Sequence, residues 1–428
     1  MSPLAASGAP LAACYSPAVD PSPSPGVAPE PDRSAAALLD EARAILPWMV
    51  EIRRDLHRHP ELGLEEHRTS AKVCALLDEM GIEYRSGLAG TGVVGLIPGR
   101  DDGPAVALRA DLDALPLEDA KQTPYRSEVA GKMHACGHDA HTTILLGAAR
   151  LLAARGAPPA RPAKLIFQPA EETVGGAKLL IEEGALEDPP VAAIFGLHVD
   201  PDLEVGTLGL RYGQRNASSD DIEVTVRGRS AHGAYPAGGI DAIVVAAQVV
   251  SAMQSVVSRN VDARESAVIT FGTVNGGTQG NIVANRVELV GTVRCLDPRI
   301  RETVLRRARE TAEGVAAGLG GWAEVEIRPS YDPLVNDDAM VDVVRRNAAE
   351  LVGEENIVVV DRPNMGVEDF AFYLAKVPGT FFSLGVRNEA EGITHPIHHE
   401  LFDVDESSMA LGAAIQALNA LGASALDD

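Results

Sequence analysis

The sequence predicts an α/β protein whose mostly parallel sheet is interrupted by an inserted β-α-β-β-α-β (ferredoxin-like) domain. Short apolar strand patterns alternate with helical patterns up to about residue 210 and again after residue 330, as in a parallel sheet covered by helices. A chain of 428 residues is also longer than one ordinary core. We predict four segments: a tail (1–34), a first α/β segment (35–210), the inserted domain (211–330) and a second α/β segment (331–428).

The tail and the first two helices have distinct patterns. Residues 1–34 are rich in Pro, Ala and Ser and have no apolar periodicity, so we predict that they are disordered. Residues 38–63 and 65–81 have helical periodicity. We expect Pro47 to interrupt or restart the first of these helices and Gly81 to end the second.

The rest of the first α/β segment alternates strands and helices. The predicted strands are TGVVGLIPG, AVALRAD, AKLIFQ and VAAIFGLHV, and the predicted helices between them are TTILLGAARLLAARG and GGAKLLIEEGAL. The second α/β segment repeats the pattern with MVDVVRRNAAELVG, NIVVVD, FFSLG and a final helix in SSMALGAAIQALNALG. Such an order indicates one α/β domain formed from two segments of the chain.

The inserted domain begins with a different periodicity. DIEVTVRG alternates polar and apolar residues, as a half-exposed strand does. The elements that follow are the helix IDAIVVAAQVVSAMQSVVSR, the strands SAVITFGTVNGG and VELVGTVRC, the helix IRETVLRRARETAEGVAAGLG and the strand WAEVEIRPS. This β-α-β-β-α-β order is typical of a compact split-βαβ unit with one open sheet face.

Composition excludes several classes of partner. The formal net charge of −24 repels nucleic acid and anionic lipid, so we expect neither as a partner. The four cysteines are widely spaced, which indicates free thiols in a reducing compartment and a cytoplasmic protein. No apolar run approaches the ~18–20 residues that a membrane span needs, so we expect no membrane association.

The stretch HACGHDAH, residues 134–141, is a candidate functional site. Cys136 and His138 would share a face in an extended segment, and Gly137 between them permits a tight turn. A thiolate and an imidazole are both good ligands for zinc and similar ions. Three interpretations remain open from this stretch alone: a metal site, a cysteine nucleophile, or a turn buried in the core.

Other polar residues follow predicted strands of the same domain. Glu171 and Glu172 end the strand AKLIFQ, where they could equally form an exposed acidic turn or divide metal binding from proton transfer. His198 and Asp111 lie at strand ends, where sites form in open α/β sheets, although each could be an ordinary core residue. The stretch THPIHHELFDVDE, near the C-terminus, adds further histidines as candidate ligands. Together these residues could supply five ligands, more than one tetrahedral zinc takes, which predicts two metal ions.

The sequence resembles the dinuclear metal amidohydrolases, a family that includes aminoacylases, hippurate hydrolases and auxin–amino acid conjugate hydrolases. The resemblance runs from about residue 48 to residue 420 and rests on nine stretches in the family's order. These are RRDLHRHPELGLEEHRTS, LRADLDALP, MHACGHDAHTTILLGAA, IFQPAEE, GLHV, GRSAHGAYPAGGIDA, GTVR, MGVEDFAFY and HHELFDVDE. The resemblance implies a catalytic α/β domain with an inserted lid or dimerisation domain.

The resemblance also implies roles for individual residues. It makes Glu171 the general acid/base and has Asp111 orient a ligand histidine near the metals. The metal ligands that it implies are Cys136, His138, Glu172, His198 and His398. Glu400 departs from the family's His-x-Pro-x-Phe pattern, so His399 remains a weaker alternative to His398.

The expected reaction is hydrolysis of the amide bond of an N-acyl amino acid or a small conjugate, with two divalent ions (Zn, Mn, Co or Ni) as cofactors. Arg294, in GTVR, is a candidate for binding the substrate carboxylate and could equally be a surface residue. His232 is expected to act as a catalytic residue supplied by the inserted domain, in its own chain or across the interface of a homodimer. The alternative is a loop histidine that only orders its own turn. Alternatives are dipeptidase or carboxypeptidase-like activity on small peptides, a cysteine-dependent acyltransferase, and a non-catalytic binding module.

Overall fold

The structure, a computed structural model, describes residues 34–422, so the predicted disorder of residues 1–33 lies outside the described residues. Its helices are α1 Ala35–Arg58, α2 His67–Met80, α3 His138–Ala154, α4 Gly176–Glu182, α5 Ala242–Asn260, α6 Pro298–Gly318, α7 Asp338–Val352, α8 Ala371–Leu374 and α9 Ser408–Leu421. The first seven strands are β1 Glu83–Leu88, β2 Gly92–Ile97, β3 Ala105–Asp111, β4 Ala163–Gln168, β5 Val191–Glu204, β6 Leu208–Leu210 and β7 Gly213–Asn216. The remaining strands are β8 Ser219–Arg227, β9 Ala267–Gly276, β10 Arg286–Cys295, β11 Trp322–Tyr331, β12 Leu334–Asn336, β13 Ile357–Val359 and β14 Gly379–Arg387.

The central sheet has eight strands in the order β1-β2-β4-β3-β5-β14-β6-β13. Its middle strands β4, β3, β5 and β14 are parallel, while β1, β2 and the β14–β6 pair are antiparallel. One face packs against α1, α2, α3, α7 and α9, and the other face against α4 and α8. The predicted α/β class with a mostly parallel sheet is therefore confirmed.

A second sheet, of four antiparallel strands in the order β11-β8-β10-β9, lies between the two α/β segments of the chain. With α5 and α6 its elements follow the order β-α-β-β-α-β, and they share a separate apolar core. A short pair, β7 with β12, joins the two connections to the central sheet. The segment boundaries at residues 210 and 330, and the lid or dimerisation role of the insert, stay predictions.

Two expectations about helices were wrong. Pro47 lies inside a continuous α1, because buried side chains before it, such as Leu38 and Ala42, and after it, such as Met49, pack on one core that outweighs the lost hydrogen bond. Among residues 34–422, one helix, α5, is long and apolar enough to cross a membrane by length and composition. Counting uninterrupted apolar runs missed it, since its polar residues are uncharged up to Arg259.

Arg53 joins α1 to two other parts of the α/β domain. Its guanidinium is fully buried, and it donates to Asp139 at 2.8 Å, to Asp403 at 2.7 Å and to Glu406 at 3.3 Å. Burial alone would raise the pKa of Asp139, but Arg53 and His57 hold it well below its usual range. Asp139 of the HACGHDAH stretch is thus an ionised structural anchor for the start of α3.

Replacing Arg53 with methionine tests this network. Arg53→Met leaves Asp139 buried without its cation, and breaking a buried ion pair costs about 3–5 kcal/mol. We expect the free energy of unfolding to fall by about that amount in urea denaturation. Arg43→Met on the same helix is the matched control, because the Arg43 and Asp40 side chains are 64% and 75% exposed, and its effect should be near zero. Equal effects of the two substitutions would contradict the assignment.

Candidate active site

The carboxyl ends of the parallel strands bring the predicted site residues to one edge of the central sheet. Asp111 pairs with Gln168 at the ends of β3 and β4, and Glu171 and Glu172 follow β4 after two intervening residues. Arg109 pairs with Gly196, which places His198 level with the end of β3. The prediction that His198 ends its own strand was wrong, because β5 continues to Glu204. A cavity of about 930 Å³ opens here. The second sheet and its connections also line it, as do the loops around residues 360–367 and 396–398.

A left-handed turn at Gly137 places Cys136 and His138 together. Gly137 has φ 88°, and a Cβ at this position would lie 2.4 Å from Val199 Cγ2, so any other residue would be strained and would have to displace the Val199 side chain. α3 begins at His138, immediately after this turn. The two side chains converge because the chain turns tightly at Gly137, as the glycine permits, and not because the segment is extended.

Five side chains form two groups of ligand atoms that share Cys136. Cys136 Sγ lies 3.3 Å from His198 Nε2, and with His138 these residues form one group. His398 Nε2 lies 3.1 Å from Glu172 Oε1, and with Cys136 they form the second group. Within each group the ligand atoms lie within 4.8 Å of one another. These five are the ligands that the resemblance implied, whereas His399 stacks on His395 instead.

The chemistry of these side chains fits divalent cations. His138 Nε2 is buried and has no hydrogen-bond partner within residues 34–422. Burial raises the pKa of the Cys136 thiol well above its usual range, and Glu172 and Glu171 raise it further, so only a nearby cation would favour the thiolate. His398 has φ 61°, an uncommon conformation for a residue with a side chain, and its backbone N–H donates to Ala135 O at 2.7 Å. The fold thus holds these donors in an arrangement that a divalent cation would stabilise.

Asp113 and Asp111 orient different histidines. Asp113 accepts hydrogen bonds from the backbone N–H groups of Glu171 and Glu172 at 3.1 and 3.0 Å, and its Oδ1 lies 3.2 Å from His138 Nδ1. Asp111 instead accepts from His141 Nδ1 at 2.7 Å, and His141 Nε2 accepts from the Val199 N–H at 2.9 Å.

Both ring nitrogens of His141 therefore form hydrogen bonds within the protein. Burial lowers the pKa of His141 to about 4, which keeps the ring neutral. The structure thus places Asp113, two residues after Asp111, beside His138. The sequence reasoning missed Asp113, although the repeated aspartates of LRADLDALP could have indicated it.

The adjacent carboxylates Glu171 and Glu172 have opposite environments. Burial raises the pKa of Glu171 well above its usual range, and Glu368 and Asp369 raise it further. Burial would also raise the pKa of Glu172, but His398 and His138 lower it below its usual value. A pair whose pKa values are pushed apart is the arrangement in which one carboxyl holds a proton and the other stays ionised.

Arg109 holds the acidic residues next to Glu171. It donates to Asp111 at 2.6 Å and to Asp369 at 2.7 Å, and it lies 3.3 Å from Glu368. Burial and Glu368 still raise the pKa of Asp369 to about 7. Glu368 lines the cavity, yet the sequence reasoning gave it no role, because MGVEDFAFY carries no ligand-type spacing.

Arg294 lines the cavity of its own chain, whereas His232, the other residue predicted in the insert, does not. Arg294 donates to Ser219 Oγ at 2.6 Å and to Val293 O at 3.2 Å, and also contacts Thr292. His232 is exposed, and its Nδ1 accepts from the Ala234 N–H at 3.1 Å. A catalytic role for His232 therefore requires a second copy of the chain or a movement of the insert.

Comparison with known proteins gives matches over most of the chain. The model of peptidase family M20/M25/M40 matches residues 107–420. An N-acetylcysteine deacetylase of Bacillus subtilis is 40% identical over 366 residues, covering 85% of this chain and 94% of that protein. The IAA-amino acid hydrolase ILR1-like 4 of Arabidopsis thaliana is 40% identical over 378 residues, covering 86% of this chain and 84% of that protein.

Among solved structures, the YXEP protein of Bacillus subtilis, described as a dinuclear metal binding peptidase from the M20 family, is 37% identical with a TM-score of 0.78. It covers 89% of this chain and 98% of that chain. Together with the two groups of ligand atoms around Cys136, this likeness supports two divalent metal ions as cofactors.

Cys136→Ala should lower the metal content of the purified protein, because it removes the one side chain that belongs to both groups of ligand atoms. Cys74→Ala is the control, since Cys74 is a free thiol in α2, far along the chain from these groups, and it should retain its metal. Elemental analysis after dialysis measures both. Full metal occupancy in Cys136→Ala would instead favour a nucleophilic cysteine.

Proposed function

The chain belongs to peptidase family M20/M25/M40, and we propose that it hydrolyses the amide bond of N-acyl amino acids and small amino-acid conjugates. The products are an acid and a free amino acid. The observation that carries this proposal is the Glu171–Glu172 pair, with one carboxyl biased to carry a proton and the other biased to stay ionised beside Cys136 and three histidines. The names of the two relatives, a deacetylase of N-acetylcysteine and a hydrolase of IAA-amino acids, support this substrate class.

We assign the metal ions to Cys136, His138, Glu172, His198 and His398. Divalent ions held by these residues would act as Lewis acids toward the amide carbonyl and lower the pKa of a water molecule. The mixed sulfur, nitrogen and oxygen donors suit Zn, Mn, Co or Ni. Asp113 orients His138 and fixes the backbone of both glutamates, so it is a positioning residue for the ligands.

Glu171 moves the proton in this reaction. As the water oxygen bonds to the carbonyl carbon, the Glu171 carboxylate takes the water proton, and it donates that proton to the nitrogen as the C–N bond breaks. A buried carboxyl with a raised pKa suits the second half of this step, since it must give the proton up to an amine. Arg294, at the second sheet, is the proposed contact for the substrate's α-carboxylate.

The rival functions explain less of the site. A cysteine acyltransferase would use Cys136 with His198, 3.3 Å away, but leaves Glu172 and His398 without a role. A binding module without catalysis would not need Glu171 in an environment that raises its pKa. The alternative of dipeptidase or carboxypeptidase-like activity would use the same site chemistry on a different substrate. Assaying dipeptides beside N-acyl amino acids distinguishes the two. A cytoplasmic location stays a prediction.

A homodimer through the insert would bring His232 to a second active site. β9 is an edge strand of the four-stranded sheet and most of it is exposed, so its backbone groups can pair with another strand. On α5, Ile243 and Val244 are half exposed. These features support an interface between two copies, across which the exposed His232 would donate a hydrogen bond to the oxygen of the attacked carbonyl.

Glu171→Gln should retain metal but lose turnover by ~10²-fold or more, because the amide cannot transfer the proton. Glu172→Gln should instead lower metal affinity. Turnover is measured on N-acetyl, N-benzoyl and indole-acetyl amino acids with metal-loaded protein, and metal content by elemental analysis. If Glu171→Gln lost metal and Glu172→Gln kept it, the two roles would have to be exchanged. If the unmodified protein hydrolysed none of these compounds, the proposed function would be refuted.

His232→Ala should keep its metal and fold but turn over slowly. If His232 acts across a dimer, mixing His232→Ala with Glu171→Gln should restore part of the activity, since one site of the mixed dimer has both residues. Subunit exchange is verified with two affinity tags before the assay. No recovery in verified mixed dimers would exclude the action across the interface, and a fully active His232→Ala would exclude a catalytic role.

A further inference from the structure

Arg215 is a cavity-lining cation that forms no ion pair with any residue in the described range 34–422. It belongs to β7, and its side chain is half-buried. Nη2 donates to Ser383 Oγ at 3.2 Å, while Nε is buried and without a hydrogen-bond partner in the same part of the chain. The guanidinium lies 5.0 Å from the centre of the Phe381 ring. A buried donor left unsatisfied is costly, which makes Arg215 a residue that an additional ligand would stabilise.

Two other arginines of this region, Arg109 and Arg211, are satisfied by the protein. Arg109 is fully buried and binds Asp111 and Asp369. Arg211 donates to the carbonyls of Gln214, Val360 and Asp361. In contrast, burial lowers the pKa of Arg215 to about 10, and the more distant Asp200 and Glu368 offset this only in part. Arg215 is still a cation at neutral pH, but burial has removed part of its hydration and no carboxylate forms an ion pair with it among the described residues.

Arg215 lies beside the proposed metal ligands. Ser383, its hydrogen-bond partner, pairs with His198 across the neighbouring strands β14 and β5. Phe381 contacts His198 as well, with ring centres 6.2 Å apart. The backbone of Arg215 is held in turn, because its carbonyl accepts from the Asn364 N–H at 2.7 Å. An anion bound to Arg215 would therefore belong to a molecule that also reaches the metal site.

We propose that Arg215 binds a second carboxylate of the substrate, in addition to the α-carboxylate assigned to Arg294, so that the preferred substrates are N-acyl amino acids with two carboxylates. This inference rests on the proposed function. The second carboxylate belongs either to a dicarboxylic acyl group or to the side chain of an acidic amino acid. Both sources present the same chemistry to Arg215: a planar anion that a guanidinium can bind through two parallel hydrogen bonds.

Two matched pairs of compounds test the proposal and separate the two sources. N-succinylmethionine is compared with N-succinamoylmethionine, and N-acetylglutamate with N-acetylglutamine; each pair differs by one carboxylate replaced with a carboxamide. We expect the unmodified, metal-loaded protein to prefer the carboxylate by about 10- to 100-fold in kcat/KM in one pair, as expected for a hydrogen bond to a charged group. That pair identifies the side of the amide that faces Arg215.

Substitutions then assign the preference to Arg215. Arg215→Gln should reduce the carboxylate preference to about threefold or less, and Arg215→Lys should retain part of it because the charge remains. Arg362→Gln is the matched control: it removes the same charge from the exposed rim of the same cavity, where solvent screens it, and should leave most of the preference intact. No preference in either pair, or a preference that survives Arg215→Gln, would overturn the proposal.

A binding measurement separates this inference from the proposed function. Calorimetric titration of the four compounds into metal-loaded Glu171→Gln protein, with and without Arg215→Gln, measures the same preference without turnover. If the carboxylate compounds bind more tightly through Arg215 but no compound is hydrolysed by the unmodified protein, the inference holds and the proposed reaction fails. If hydrolysis occurs but binding is indifferent to the second carboxylate, the reaction stands and the role of Arg215 is refuted.

Discussion

The burial of several carboxylates at one edge of the central sheet is the constraint on which the rest of the site depends. Asp111, Asp113, Glu368 and Asp369 are all almost inaccessible, and Glu171 lies among them. Negative charges this close, away from water, cannot all remain ionised without cations. Arg109 supplies one cation, on the side of Asp111 and Asp369. On the other side, the side chains that group with Glu172 and Cys136 among the described residues are histidines, and divalent ions are the charges that fit between them.

This uneven distribution of cations explains how two neighbouring glutamates differ. Glu171 faces Glu368 and Asp369, so burial and like charges both favour its protonated form. Glu172 points to His398 and His138, which favour its ionised form. Asp113 binds both backbone N–H groups and so fixes where each side chain starts. The different pKa values of these two adjacent glutamates are therefore set by side chains from other parts of the chain.

The cavity is shared between the central sheet and the inserted unit, and a single arginine holds the two chain connections between them. Arg301 of α6 binds both carboxylate oxygens of Asp220, at 2.8 and 2.9 Å, and also Asp332 at 2.5 Å. Asp220 follows the first connection and Asp332 begins the second. Tyr331 adds a hydrogen bond to Glu171 O at 2.9 Å. The position of Arg294 and Ser219 over the site thus depends on contacts that form only when both connections are folded.

By itself, the sequence determined the class of the fold and the identity of the residues that meet at the strand ends. Strand and helix periods are local, so AVALRAD, AKLIFQ and VAAIFGLHV could be recognised as strands. Asp111 ends the first and Glu171 follows the second, whereas His198 lies inside β5, which continues to Glu204. The β-α-β-β-α-β order of the insert was visible for the same reason. The choice of His398 over His399 came from the resemblance, because His398 lies four residues before Phe402, as the ligand does in the family's pattern.

Only the tertiary structure decided which partner each of these residues has. Helix α1 continues through Pro47 because packing, not local propensity, determines its stability. Sequence reasoning assigned no roles to Asp113, Arg53, Arg109 and Arg215, since each of them contacts residues that are far away in the chain. A side chain's pKa, its pairing and its access to the cavity depend on what surrounds it in space, and that is decided when distant segments pack together.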